Sequence, residues 1–74
     1  MNSEFPIRSY GKAELAMLYF PYTDNPKVAV NHLMAWIRRC TPLMDDLTAS
    51  GYKRSDKFFS SRHVKMIVDH IGEP

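Results

Sequence analysis

The groups in this chain best suited to chemistry near neutral pH are three histidines, His32, His63 and His70, and a single thiol, Cys40. A zinc site needs donors converging about 2.0–2.3 Å from one ion, and close ligand pairs are its usual signature. No His-x3-His or Cys-x2-Cys pair occurs, and His63 and His70 are about two helical turns apart. Surface histidines are therefore expected, with no metal and no cofactor. Cys40 follows Arg39 at an expected helix start, and both features lower a thiol pKa. A nucleophile also needs a base beside it, and no histidine has a sequence reason to sit there, so a structural thiol is expected. Asp45 and Asp46 are adjacent and would point about 100° apart on a helix, which makes a poor acid–base pair. The three glycines are isolated and form no phosphate-cradling loop. The expectation is a protein that binds and does not catalyse.

Charge gives the more definite signal. The whole chain carries only +2, with a pI near 8.9. Between Lys53 and Lys65, however, five bases (Lys53, Arg54, Lys57, Arg62 and Lys65) face one acid, Asp56. Clustered cations neutralise nucleic-acid phosphates, and small domains that use them place a helix in the major groove. Lys27, Asn31, His32 and Arg38 would lie on the exposed side of the second expected helix. Asn and Arg are the types that pair bidentately with adenine and guanine edges. Lys53, Arg54 and Lys57 would straddle a backbone as a wing does, and Arg62 would add a phosphate contact. The candidate nucleic-acid residues are thus Lys27, Asn31, Arg38, Lys53, Arg54, Lys57 and Arg62. A charged surface also serves solubility, and eight acids nearly balance the ten bases.

The elements that must position these groups are legible from periodicity and punctuation. At 74 residues there is room for one core, and a 45% hydrophobic content with nine aromatic residues can fill it. Residues 1–9 read as a lead-in, with Phe5 and Ile7 folding back on the core, and residues 10–74 as a single helical domain. Gly11 caps a first helix, with Tyr10 and Leu15 at staple spacing and Glu14 in the first turn. Leu15, Leu18 and Tyr19 share a face, and Pro21 ends the run. Asn25-Pro26 starts a second helix, on which Val30, Leu33, Met34 and Ile37 form a buried stripe that Trp36 broadens. Thr41-Pro42 starts a third helix, burying Leu43, Met44 and Leu47 and stopping at Gly51. Ser60 caps a fourth, with Phe59 and Val64 as its staple and Val64, Ile67, Val68 and Ile71 as its stripe. The class is all-α, a compact bundle of about four short helices. Residues 52–59 form either a small basic hairpin around Ser55-Asp56 or a plain loop.

Several segments resemble known families. Tyr10-Gly-Lys-Ala-Glu-Leu-Ala16 resembles the first helix of small helix-turn-helix proteins of the MerR and excisionase kind, and Leu33-Met-Ala-Trp-Ile37 is similar to their second. The segment from Phe59 to Pro74 resembles the closing helix of small DNA-binding proteins from anaerobic gut bacteria. From Ile7 to Pro74 the chain resembles an uncharacterised bacterial family described as a domain of unknown function. These likenesses imply a helix-turn-helix-like fold and double-stranded DNA as partner, as in a small transcriptional regulator or mobile-element accessory factor. The connection from Leu18 to Pro26 is longer than the roughly 3–4 residues of a tight helix-turn-helix turn. The helix from Pro42 to Ser50 also intervenes before the basic segment.

The rival expectation is a protein-interaction module or homodimer. Five Met, one Trp and the aromatic residues offer much large apolar surface for a short chain, and such residues favour interface cores. Tyr19, Phe20 and Tyr22 are the candidates for that patch. No apolar run approaches the ~20 residues that span a bilayer. The first residues also lack a basic stretch followed by an apolar one, so the expected location is cytoplasmic.

Overall fold

The computed structural model describes residues 5–74. It contains four helices and one pair of two-residue strands. Strand β1 (Tyr10–Gly11) leads into helix α1 (Lys12–Tyr19). Helices α2 (Pro26–Arg39) and α3 (Thr41–Ala49) follow, then strand β2 (Phe58–Phe59) and helix α4 (Ser61–Ile71).

Helices α1, α2 and α4 start where their local chemistry dictates. The Gly11 N–H donates to the Glu14 carboxylate at 3.1 Å, while Tyr10 and Leu15 are both buried as a staple requires. Pro26 stands at the first position of α2, and the Asn25 side chain accepts the Lys27 N–H at 2.8 Å. Helix α3 begins one residue earlier than its Thr-Pro signal implies, with Cys40 as N-cap. The Ser60 hydroxyl accepts the His63 N–H at 3.2 Å, and Phe59 and Val64 are fully buried on either side of that cap.

The end of α3 sets the path of the basic segment. The Gly51 N–H donates to the Thr48 carbonyl at 3.1 Å and the Tyr52 N–H to the Leu47 carbonyl at 3.0 Å. This is a Schellman closure, with Gly51 at φ +98° and the apolar residues Leu47 and Tyr52 both buried. Beyond it the chain does not fold back on itself as a hairpin around Ser55-Asp56. Phe59 instead pairs with Tyr10, and Phe58 with Gly11, in an antiparallel register. The Lys12 N–H then donates to the Lys57 carbonyl at 2.8 Å. Residues 52–57 form a loop closed by strands from opposite ends of the sequence.

The core draws on every helix, including Leu15, Ala16, Ala29, Leu33, Ile37, Leu43, Leu47, Phe59, Val64 and Ile67. Helix α1 packs chiefly on α2, and α3 lies against both α2 and α4. Phe5 stacks on Tyr10 with ring centroids 5.3 Å apart, but Ile7 is exposed. Leu18, expected on the inner face of α1, is exposed as well, while Ala16 is buried with Leu15. At the far end, the Tyr19 hydroxyl donates to the Gly72 carbonyl, tying the C-terminal residues to α1. Burial and the nearby charge of Glu73 push the Tyr19 phenol up to about 12.

Gly51 has open space where a Cβ would stand, so only its positive φ resists substitution. Gly51→Ala is expected to lower unfolding free energy by about 1–2 kcal/mol in urea titrations. An unchanged midpoint would mean that the Schellman closure does not depend on glycine.

Candidate nucleic-acid interface

All seven residues proposed from sequence are solvent-exposed. The structure gathers Lys53, Arg54 and Lys57 on the loop between α3 and β2, and it adds Lys12, which sequence reasoning left out. The Lys12 ammonium lies 3.2 Å from the Arg54 carbonyl and 5.0 Å above the Tyr52 ring. Tyr52 in turn stacks on Phe59 at 5.4 Å. The loop is thus seated on a buried aromatic pair, with a cation at its edge.

The single acid of the segment is used internally. The Asp56 carboxylate accepts the Lys53 N–H at 3.0 Å, and the Asp56 N–H donates to the Lys53 carbonyl at 2.9 Å. This side-chain-to-backbone turn fixes the loop and turns that carboxylate toward a backbone amide. Arg62 lies four residues beyond Phe58, in the first turn of α4.

Met34 of α2 meets Tyr52, the first residue of this loop, within the core. Asn31 and Arg38 stand three before and four after Met34, so they are its neighbours on the helix surface. The Met34 sulfur is 3.7 Å from the Tyr52 hydroxyl. Lys27 is one turn before Asn31 on the same flank, roughly 16 Å along the axis from Arg38. It stands at the end of the flank away from Arg38.

Asp46 and Asp69 stand toward the other end of α4 from Arg62. Asp46 lies 3.9 Å from His70, and Lys65 pairs with Asp69 at 3.2 Å. Asp69 and His70 lie on the C-terminal half of α4, roughly 10 Å along the axis from Arg62. Lys65, counted with the basic segment in the sequence, belongs to that mixed surface. Nearer the loop, Glu14 is paired with Arg8 at 3.1 Å. The Arg8 guanidinium and the Gly11 amide hold its carboxyl below the ordinary range.

The histidines divide. His32 is exposed and packs near Phe20, with ring centroids 5.4 Å apart, and the His70 Nδ1–H donates to the Met66 carbonyl at 2.9 Å. His63, expected at the surface, is only 9% exposed, tucked edge-on against Tyr52 at 5.8 Å. Among the described residues no three His, Cys, Asp or Glu side chains stand together as a metal site would require. No described helix is long and apolar enough to cross a membrane.

Two cations oppose the dipole of the helix they begin. Lys27 and Arg62 each occupy the second position of a helix whose first turn has no acid, where positive charge is unfavourable. Lys27→Glu and Arg62→Glu are each expected to raise stability by about 0.3–1 kcal/mol at low ionic strength, an effect that salt should weaken. Urea titrations at two salt concentrations measure it. A loss of stability in either variant would show that its cation supports the fold.

No curated protein and no solved structure matches this chain. A family model does match, over residues 6–74, and the chain belongs to that family, described as Domain of unknown function (DUF4248).

Proposed function

We propose that this domain binds double-stranded DNA through the basic loop Lys53–Lys57, with Lys12 and Arg62 beside it and the Asn31–Arg38 flank of α2 as a further contact. The observation that carries this reading is the joining of Lys12 to the loop while the loop's own acid caps a backbone amide. Lys12, Lys53, Arg54, Lys57 and Arg62 then form a surface suited to phosphate contacts. Asn31 and Arg38, with Lys27 a turn away, are the groups for base edges or further phosphates. The separation of Asp46 and Asp69 from Arg62 along α4 favours the same reading, because a polyanion would meet few like charges there.

On this reading the protein acts by binding, without catalysis, in the manner of a small cytoplasmic transcriptional regulator or mobile-element accessory factor. Its loop plays the part of a wing in a helix-turn-helix-like arrangement. A second reading, a protein partner or a homodimer, draws on a different surface. Tyr22 is 97% exposed, and Trp36, 42% exposed, meets Phe20 edge-on at 4.8 Å. Tyr19 and Phe20, expected in that patch, are half-buried against the core.

The test is a fluorescence-anisotropy titration of the full chain with random-sequence duplex DNA at two salt concentrations. Four to six phosphate contacts predict affinity falling about a hundred- to thousandfold between roughly 50 and 200 mM salt. Lys53→Glu combined with Arg54→Glu should abolish most of that binding. Salt-insensitive association, or unchanged binding by the double variant, would contradict the proposal, and a concentration-dependent dimer lost in Tyr22→Ser would favour the second reading.

A further inference from the structure

We propose that Lys12 is a clasp for the basic loop, a positioning residue whose ammonium holds Lys53–Lys57 in one conformation. The loop has little else to hold it. Tyr52 and Phe59 are buried at its two ends, but Lys53, Arg54, Ser55, Lys57 and Phe58 between them are exposed, and Asp56 is half-buried. No apolar side chain therefore anchors the segment to the core. Within the loop, the Lys53 amide and the Asp56 carboxylate make one local turn. Among the described residues, Lys12 is the one outside residues 53–57 that hydrogen bonds to them. Its backbone N–H donates to the Lys57 carbonyl at 2.8 Å, and its ammonium donates to the Arg54 carbonyl at 3.2 Å.

The position of the ammonium explains why a cation serves here. It lies 5.0 Å from the Tyr52 ring centroid and 5.7 Å from that of Phe59, within the roughly 6 Å over which a ring attracts a cation. Both rings belong to the core, so the clasp joins a fixed support to a segment that has none. One residue thereby spans the turn: its amide fixes the Lys57 side and its ammonium the Arg54 side. A neutral side chain at position 12 keeps the amide bond and loses the other. The Arg54 side is then free to move while the strand pair, Tyr52 and Phe59 stay in place. A loop that must be ordered on binding loses affinity to that ordering, whatever its ligand. The clasp does not depend on the nucleic-acid reading; its effect on DNA affinity does.

Limited digestion of the full chain with trypsin reads the clasp directly, because Lys53 and Arg54 are cleavage sites within the loop. Lys65, inside α4, reports opening of the fold as a whole. Lys12→Met should speed cleavage after Lys53 and Arg54 roughly two- to tenfold, the worth of one lost hydrogen bond. Cleavage after Lys65 should stay unchanged. Lys12→Arg, which keeps the charge and a donor, should be cut as the parent is, and so should Lys27→Met, which removes one charge from α2. Equal loop cleavage in Lys12→Met and the parent overturns the clasp. A rise shared by Lys65 also overturns it, by making Lys12 a support of the whole fold. With duplex DNA, Lys12→Met and Lys57→Met remove one charge each, and each should lower the salt slope by about 1. Lys12→Met should weaken affinity roughly two- to tenfold more than Lys57→Met; equal losses would make Lys12 a plain phosphate contact and overturn its positioning role. If the parent does not bind duplex DNA, the nucleic-acid reading falls, and the cleavage rates still decide the clasp.

Discussion

The pairing of Tyr10–Gly11 with Phe58–Phe59 is the constraint on which the rest of the molecule depends. Two residues on each side make a very small sheet, too small to be stable by itself. It persists because Phe59 and Tyr10 are both buried and Tyr52 stacks on Phe59. The pairing joins the start of α1 to the start of α4 and closes residues 52–57 into a loop. It also brings Lys12 to Arg54 and leaves Phe58 facing outward over Gly11. Core packing and surface chemistry are therefore set by the same short ladder.

The surface makes sense as a compromise between folding and binding. An eight-residue α1 and a nine-residue α3 gain little from helix propensity and rely on packing. In so small a domain, first-turn acids would be an easy source of added stability, yet α2 and α4 carry Lys27 and Arg62 there. Asp46, Asp69 and Glu73 instead lie toward the C-terminal end of α4 or beside it. A chain of net charge +2 can in this way present a mainly cationic loop surface without being strongly basic overall.

Local signals carried most of the fold. Asn25-Pro26, Ser60 between Phe59 and Val64, and Gly51 after α3 each act through a few neighbouring atoms, so their positions could be read directly from the sequence. The strand pairing could not, because two-residue strands have no period and their partners are nearly fifty positions apart. A hairpin within 52–59 is the local solution, and burial of Phe59 against Tyr52 favours the distant one. For the same reason Lys12 was missing from the sequence-derived candidates, although Lys53, Arg54 and Lys57 were among them. In α1, apolar residues surround most of a short helix, so periodicity left the inner face ambiguous. The face with Leu15 and small Ala16 is the buried one, and Leu18 points outward. His63 could equally have been exposed on spacing alone; its place beside the Phe59 staple and the Tyr52 ring draws it inward.

The most direct measurement of the central claim is a backbone amide NMR titration of the full chain with duplex DNA. Shifts are expected to concentrate at Lys12, at Lys53 through Lys57, at Arg62 and on the Asn31–Arg38 flank of α2, while Asp46 and Asp69 stay still. Shifts centred instead on Leu18 to Tyr22, Val28 and Trp36, or no shifts at all, would contradict it.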